Sequence, residues 1–175
     1  VESNGIINRR NGIGMEVHSK DSWDIHDAVQ LPKLMDYPEI LMKDEKTGVL
    51  LNRSIVPPKE TYLWQAELTG GQEGEIVKLS WNTAEIPESV AGIFLWDKLN
   101  SRLVDMRQLS ESHFQLPEGG NLPLQIYYGA ADDIFSVLDI SQIRTGKSYP
   151  NPVGDKFMLP LSIPVEQQLS LGALL

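Results

Sequence analysis

The sequence predicts an all-β sandwich, and three observations carry that reading. Glycine (14) and proline (11) are spread along the 175 residues, which leaves no room for long helices. The apolar segments are short, rich in Val, Ile, Leu, Trp and Tyr, and closed by turn residues. Strand candidates between residues 61 and 129 recur at the ~8–12-residue spacing of β-sandwiches.

In chain order, residues 1–14 are polar and glycine-rich, with Asn4-Gly5 and Asn11-Gly12 as turn signals. Met15-Glu16-Val17 is a short strand candidate, and Asp21 to Pro38 is loop-like. Ile40 to Met42 and Val49 to Leu51 flank Asp44 to Gly48, which predicts two strands joined by a turn ending in glycine. After Pro57-Pro58, the residues Tyr62, Trp64, Ala66 and Leu68 alternate with Leu63, Gln65 and Glu67. Period-2 alternation is the mark of a strand with one buried face. Val77, Leu79 and Trp81 repeat it. Ile93 to Trp96 and Leu103 to Met106 enclose Asp97 to Arg102 and predict a hairpin; His113 to Leu116 and Leu124 to Tyr128 enclose Pro117 to Gly120 and predict a second. Residues 130–143 read as a helical turn or a further strand. Phe157 to Leu161 and Gln168 to Leu171 read as the opening strands of another unit.

Charge and cysteine count exclude several classes. Lys plus Arg is 15 against 24 Asp plus Glu, a formal charge of −9. Such a surface repels phosphate backbones and anionic lipid, so nucleic acid is not an expected partner. It suits a soluble secreted protein or a cation binder. With 0 cysteines there are no disulfides, thiolate chemistry, Cys-based zinc sites or iron–sulfur clusters. No apolar run approaches the ~20 residues of a membrane span, so membrane insertion is not expected. The chain starts at Val1 without Met and reads as a piece of a longer protein.

Asp21, Asp24 and Asp27 lie three apart, with Glu16 and Asp36 near in sequence. Hard carboxylate oxygens at this density suit calcium, the cation such a site would take, although the spacing is not that of an EF-hand loop. Asp side chains also cap turns through hydrogen bonds to backbone N–H, and that is the commoner use. Among the four tryptophans, Trp64 and Trp81 sit beside apolar neighbours on strands and are expected in the core. Trp23, in an acidic loop, and Trp96, beside Asp97 at a hairpin tip, are the candidates for stacking on sugar. His18, His26 and His113 are too scattered for a metal triad and read as surface or turn residues. Gly146-Lys147-Ser148 mimics the end of a P-loop, but Ser141 replaces the first glycine and Tyr149-Pro150 does not open a helix. Neither a Gly-x-Ser-x-Gly elbow nor a His-Glu-x-x-His helix occurs. Asn52-Arg53-Ser54 matches a glycosylation acceptor at chance level.

Two stretches resemble a known family. Ser148-Tyr149-Pro150-Asn151-Pro152-Val153-Gly154-Asp155-Lys156-Phe157, followed by Leu159 to Pro164, is similar to the start of the C-terminal sorting domain of type IX secretion substrates. Lys20 to Ala28, with Leu31-Pro32, resembles a segment found upstream of that signature in large secreted or surface proteins. The resemblance implies a sorting motif at Tyr149, Pro150, Asn151 and Pro152, and the type IX machinery as partner. Only about the first third of a sorting domain is present, without the basic tail usual in the family.

Together these readings give an immunoglobulin-like β-sandwich with the truncated start of a second small β unit. Residues 1–11 are expected as a flexible lead-in, 12–143 as the sandwich, and 144–175 as linker and truncated sorting domain. The expected function is non-enzymatic: a structural, spacer or adhesion module of a secreted or cell-surface protein. The alternative is a carbohydrate-binding module of a polysaccharide-acting enzyme, with Trp23 and Trp96 on the sugar. A further alternative is a fragment of a secreted hydrolase with paired carboxylates.

Overall fold

The computed structural model describes residues 1–33, 36–86, 92–130 and 134, and the backbone of 144–145 and 161–162. The chain is an all-β sandwich of two unequal sheets. The smaller sheet contains β1 (Glu2–Ser3), β2 (Ile6–Ile7), β8 (Ile76–Ser80) and β11 (Glu111–Gln115), in the order β11-β8-β1-β2. The larger contains β3 (Gly12–Met15), β4 (Ala28–Val29), β5 (Glu39–Lys43), β6 (Leu50–Val56), β7 (Tyr62–Thr69), β9 (Gly92–Asp97), β10 (Arg102–Asp105) and β12 (Leu122–Gly129). Its order is β10-β9-β12-β7-β5-β6-β3, with β4 also paired to β6. A separate antiparallel pair joins β13 (Arg144–Thr145) to β14 (Leu161–Ser162).

Alternation decides which side chains meet. On β7, Trp64, Ala66 and Leu68 are buried between the sheets while Gln65 and Glu67 face outward. Val77 and Leu79 of β8 and Phe114 of β11 answer from the smaller sheet. Leu122, Leu124 and Ile126 of β12 and Ile93 and Leu95 of β9 complete the same core. Each of the Val, Leu, Ile and Phe side chains contributes about 1.5–3 kcal/mol by leaving water.

The pairing is nested. β7 pairs β12, β8 pairs β11 and β9 pairs β10, all antiparallel. The middle pair lies in the smaller sheet and the outer and inner pairs in the larger. Among the described residues this order, with a parallel β3–β6 pair, differs from the A-B-E-D and C-F-G layout of immunoglobulin domains. The hairpins at β5–β6 and β9–β10 form as the sequence predicts.

Two expectations are corrected. The segment Pro117 to Gly120 is not a hairpin turn: β11 pairs with β8 and β12 with β7 and β9, so the chain changes sheets there. Leu116 N–H donates to the Glu75 carbonyl and Gly74 N–H to the Leu116 carbonyl, which ties the end of β11 to its own sheet before the crossing. Nor are residues 1–11 a loose lead-in. Glu2 is in register with Lys78 of β8, their side chains form an ion pair at 2.7 Å, and Ser3 is buried. The Ser3 hydroxyl also bonds the Glu75 carboxylate.

Candidate functional site

The acidic-aromatic stretch between β3 and β4 folds as a set of capped turns. Asp24 Oδ2 accepts from Lys20 N–H at 2.8 Å and Oδ1 from His26 N–H at 2.8 Å. Asp27 Oδ2 accepts from Asp24 N–H at 2.8 Å, and Oδ1 from Ile55 N–H of β6 at 2.7 Å. Asp21 turns away to an ion pair with Lys59, whose ammonium lies 4.8 Å from the centre of the Tyr62 ring. The hydrogen bond from Lys59 holds the Asp21 carboxyl below its ordinary value. Asp44, in the β5–β6 turn, accepts from Thr47 hydroxyl and N–H and from Trp23 N–H, and its pKa is lowered chiefly by the Thr47 hydroxyl.

The metal expectation for Asp21, Asp24 and Asp27 is therefore corrected. Their oxygens point to backbone N–H groups and a lysine, and among the described residues no group of three or more His, Asp or Glu converges on a point. Asp27 links the loop to β6, so Asp27→Ala is expected to cost about 1–2 kcal/mol from two lost hydrogen bonds. Calcium at millimolar concentration is expected to leave the thermal midpoint of the wild type where it was. A saturable rise in Tm would restore the cation reading.

Trp23 and Trp96 part company. Trp23 is 45 % exposed, at a shallow hollow of about 110 Å³ shared with Asp21, Lys46 and Tyr62. Trp96 is 4 % exposed, which removes it as a sugar platform. It lies on the opposite face of β9 from Ile93 and Leu95, clustered with Tyr127, Leu63, Phe94, Leu103 and Ile134. The sheet's second face is covered here, so its outward tryptophan is buried too. Trp64 is in the core, and Trp81 packs against it with its indole N–H shared between the Met106 and Leu109 carbonyls. His18 and His113 are exposed, and the His26 carbonyl accepts from Arg53 Nε. Asn52 is buried and bonded to Glu39, which closes it to glycosylation. Tyr149, Pro150, Asn151 and Pro152, and the strand candidates at 157–161 and 168–171 apart from the β14 backbone, lie outside the described residues.

A larger feature escapes sequence reasoning. An open cleft of about 770 Å³ separates the sheets at one end, lined by Ile13, Met15 and Ile40 on one side and Leu79 and Trp81 on the other. Its origin is the mismatch of an eight-stranded sheet against a four-stranded one whose β1 and β2 have two residues each. The inner surface of β3 and β5 is thereby only partly covered.

Compared with known proteins, the chain matches no protein-family model, no curated protein and no solved structure.

Proposed function

We propose that this chain is a non-enzymatic structural module, a spacer or adhesion element, of a large secreted or cell-surface protein. The observation that carries the reading is the use of the acidic loop. Asp24, Asp27 and Asp44 each accept from backbone N–H groups and Asp21 pairs with Lys59, so the loop's carboxylates build a fixed surface. Joined to a core continuous between the sheets, such a surface holds neighbouring modules apart. The sorting part of the proposal rests on the resemblance of residues 148–157 to the opening of type IX sorting domains, and makes that machinery the partner. Alanine replacement of Tyr149 to Pro152 in the precursor is expected to block delivery to the surface of a type IX host. Undiminished delivery would remove that part.

One observation favours a second reading. Trp23 stands exposed at a hollow with carboxylate, ammonium and aromatic neighbours, the combination with which proteins hold sugar rings. A glycan array probed with the wild type and with Trp23→Ala separates the two. The module reading expects no binding by either. Binding lost in Trp23→Ala would replace it with a carbohydrate-binding module acting on extracellular polysaccharide.

A further inference from the structure

We propose that the cleft between the sheets is a binding site for one neutral, lipid-like small molecule: an apolar body carrying a hydroxyl or carbonyl oxygen. The proposal stands apart from the module reading and from Trp23.

Size and lining come first. The cleft's volume, about 770 Å³, falls in the roughly 300–1,000 Å³ range of small-molecule sites. Its walls are aliphatic and aromatic, and Ile13, Met15, Ile40 and Trp81 are only partly buried there. Three residues of its wall each carry a polar atom that is itself buried and in want of a partner. Asn8 is 7 % exposed and its Nδ2 has no hydrogen-bond partner among the described residues. Trp64 is 4 % exposed and its Nε1 has none. Asn11 Oδ1 has none either, although its Nδ2 donates to the Ile40 carbonyl. All three residues line the cleft. Trp81 on the facing wall is the contrast, its indole N–H satisfied by two carbonyls.

The polar groups define the ligand. Two donors and one acceptor suit an oxygen that accepts, and a hydroxyl that also donates. Each buried polar group left without a partner is costly, so a ligand oxygen delivered on an apolar body would be favoured over the body alone. The charged side chains at the lining give no preference for an ion. Glu2 is already paired with Lys78, and Arg9 and Glu85 are of opposite sign.

Titration with 10-bromodecan-1-ol, whose bromine quenches indoles at contact, tests the proposal on the whole chain. The expected result is saturable one-to-one quenching that persists in Trp23→Phe, competition by decan-1-ol, and decanoate binding about tenfold more weakly. Narrowing the cleft with Ile13→Phe or with Thr83→Phe, both at lining residues, is expected to weaken binding at least about tenfold. Circular dichroism melts of both variants identify one that keeps the fold, and the affinity is read from it. Quenching that never saturates, quenching abolished in Trp23→Phe, decanoate binding as tightly as the alcohol, or unchanged affinity in a folded cleft variant would each overturn the proposal.

Discussion

Glu39→Ala is expected to destabilise the fold by about 3 kcal/mol, the low end of the range for breaking a buried ion pair. Glu39 opens β5 and is 1 % exposed. Its Oε1 meets Lys33 Nζ at 2.7 Å and accepts from Gln30 Nε2, and its Oε2 accepts from Asn52 Nδ2 at 2.8 Å. Alanine would leave an ammonium and two carboxamides facing a void. Lys33, whose side chain is 18 % exposed, can recover some water, which places the cost at the low end. The backbone is built around the same lysine. Its ammonium also donates to the Tyr37 carbonyl, and a Cβ on Gly70, which sits at φ +86°, would overlap that carbonyl and stand 2.6 Å from Lys33 Nζ.

The sign of the pH dependence follows from the same contacts. Burial alone would raise the Glu39 pKa, but the hydrogen bonds from Lys33, Asn52 and Gln30 together outweigh it and lower it from the ordinary 4.5. A carboxyl depressed in the folded state adds stability that is complete above its unfolded pKa and is lost as the pH falls through the folded value. Urea unfolding of the wild type and Glu39→Gln at pH 7 and again well below pH 4.5 reads this directly. The gap between the two proteins should shrink in acid. An equal gap at both pH values would mean that the charge of Glu39 contributes nothing.

None of this network is legible in the chain. Glu39 follows Pro38 at the start of a strand, where a lone glutamate reads as a solvated end. Its three partners come from two other places: Gln30 and Lys33 from the loop before β5, and Asn52 from β6. What was legible is the alternation. β7 and β8 each carry their buried residues at every second position, a local property that the sequence states outright. Pairing partners are not local. Pro117 to Gly120 is as good a crossover as a hairpin turn, because Gly119 at φ +84° and Gly120 at φ +71° serve either. The same limit misplaced Trp96, since alternation gives the face of a sheet but not whether that face is covered. It also hid the first strands, because two residues are too few to show a period. In the acidic loop the residue type gave two readings, cation ligand and turn cap, and only the direction of the oxygens chose between them.

Phe114→Ala is expected to cost about 4 kcal/mol, in the range of phenylalanine deletions from cores. In a chain of this size that corresponds to a fall in Tm of roughly 8–16 °C. Phe114 is 2 % exposed on β11 of the smaller sheet, and Arg102 of β10 in the larger sheet lies over it, Cζ 4.3 Å from the ring centre. The same guanidinium donates to Ser112 Oγ at 3.0 Å and to the His113 carbonyl at 2.9 Å. One cation thus fastens an end strand of each sheet to the other, with the phenyl ring as its floor. Removing the ring deletes apolar contact and leaves a guanidinium, itself lowered in pKa by burial, without the face it rests on. Arg102→Met keeps much of the apolar stem but drops the charge and both hydrogen bonds. A double-mutant cycle between Phe114→Ala and Arg102→Met is therefore expected to show coupling of about 1 kcal/mol, within the range for a partly desolvated cation over an aromatic ring. If the two costs simply add, the ring and the cation act independently, and the sheets are held at that edge by Phe114's packing alone.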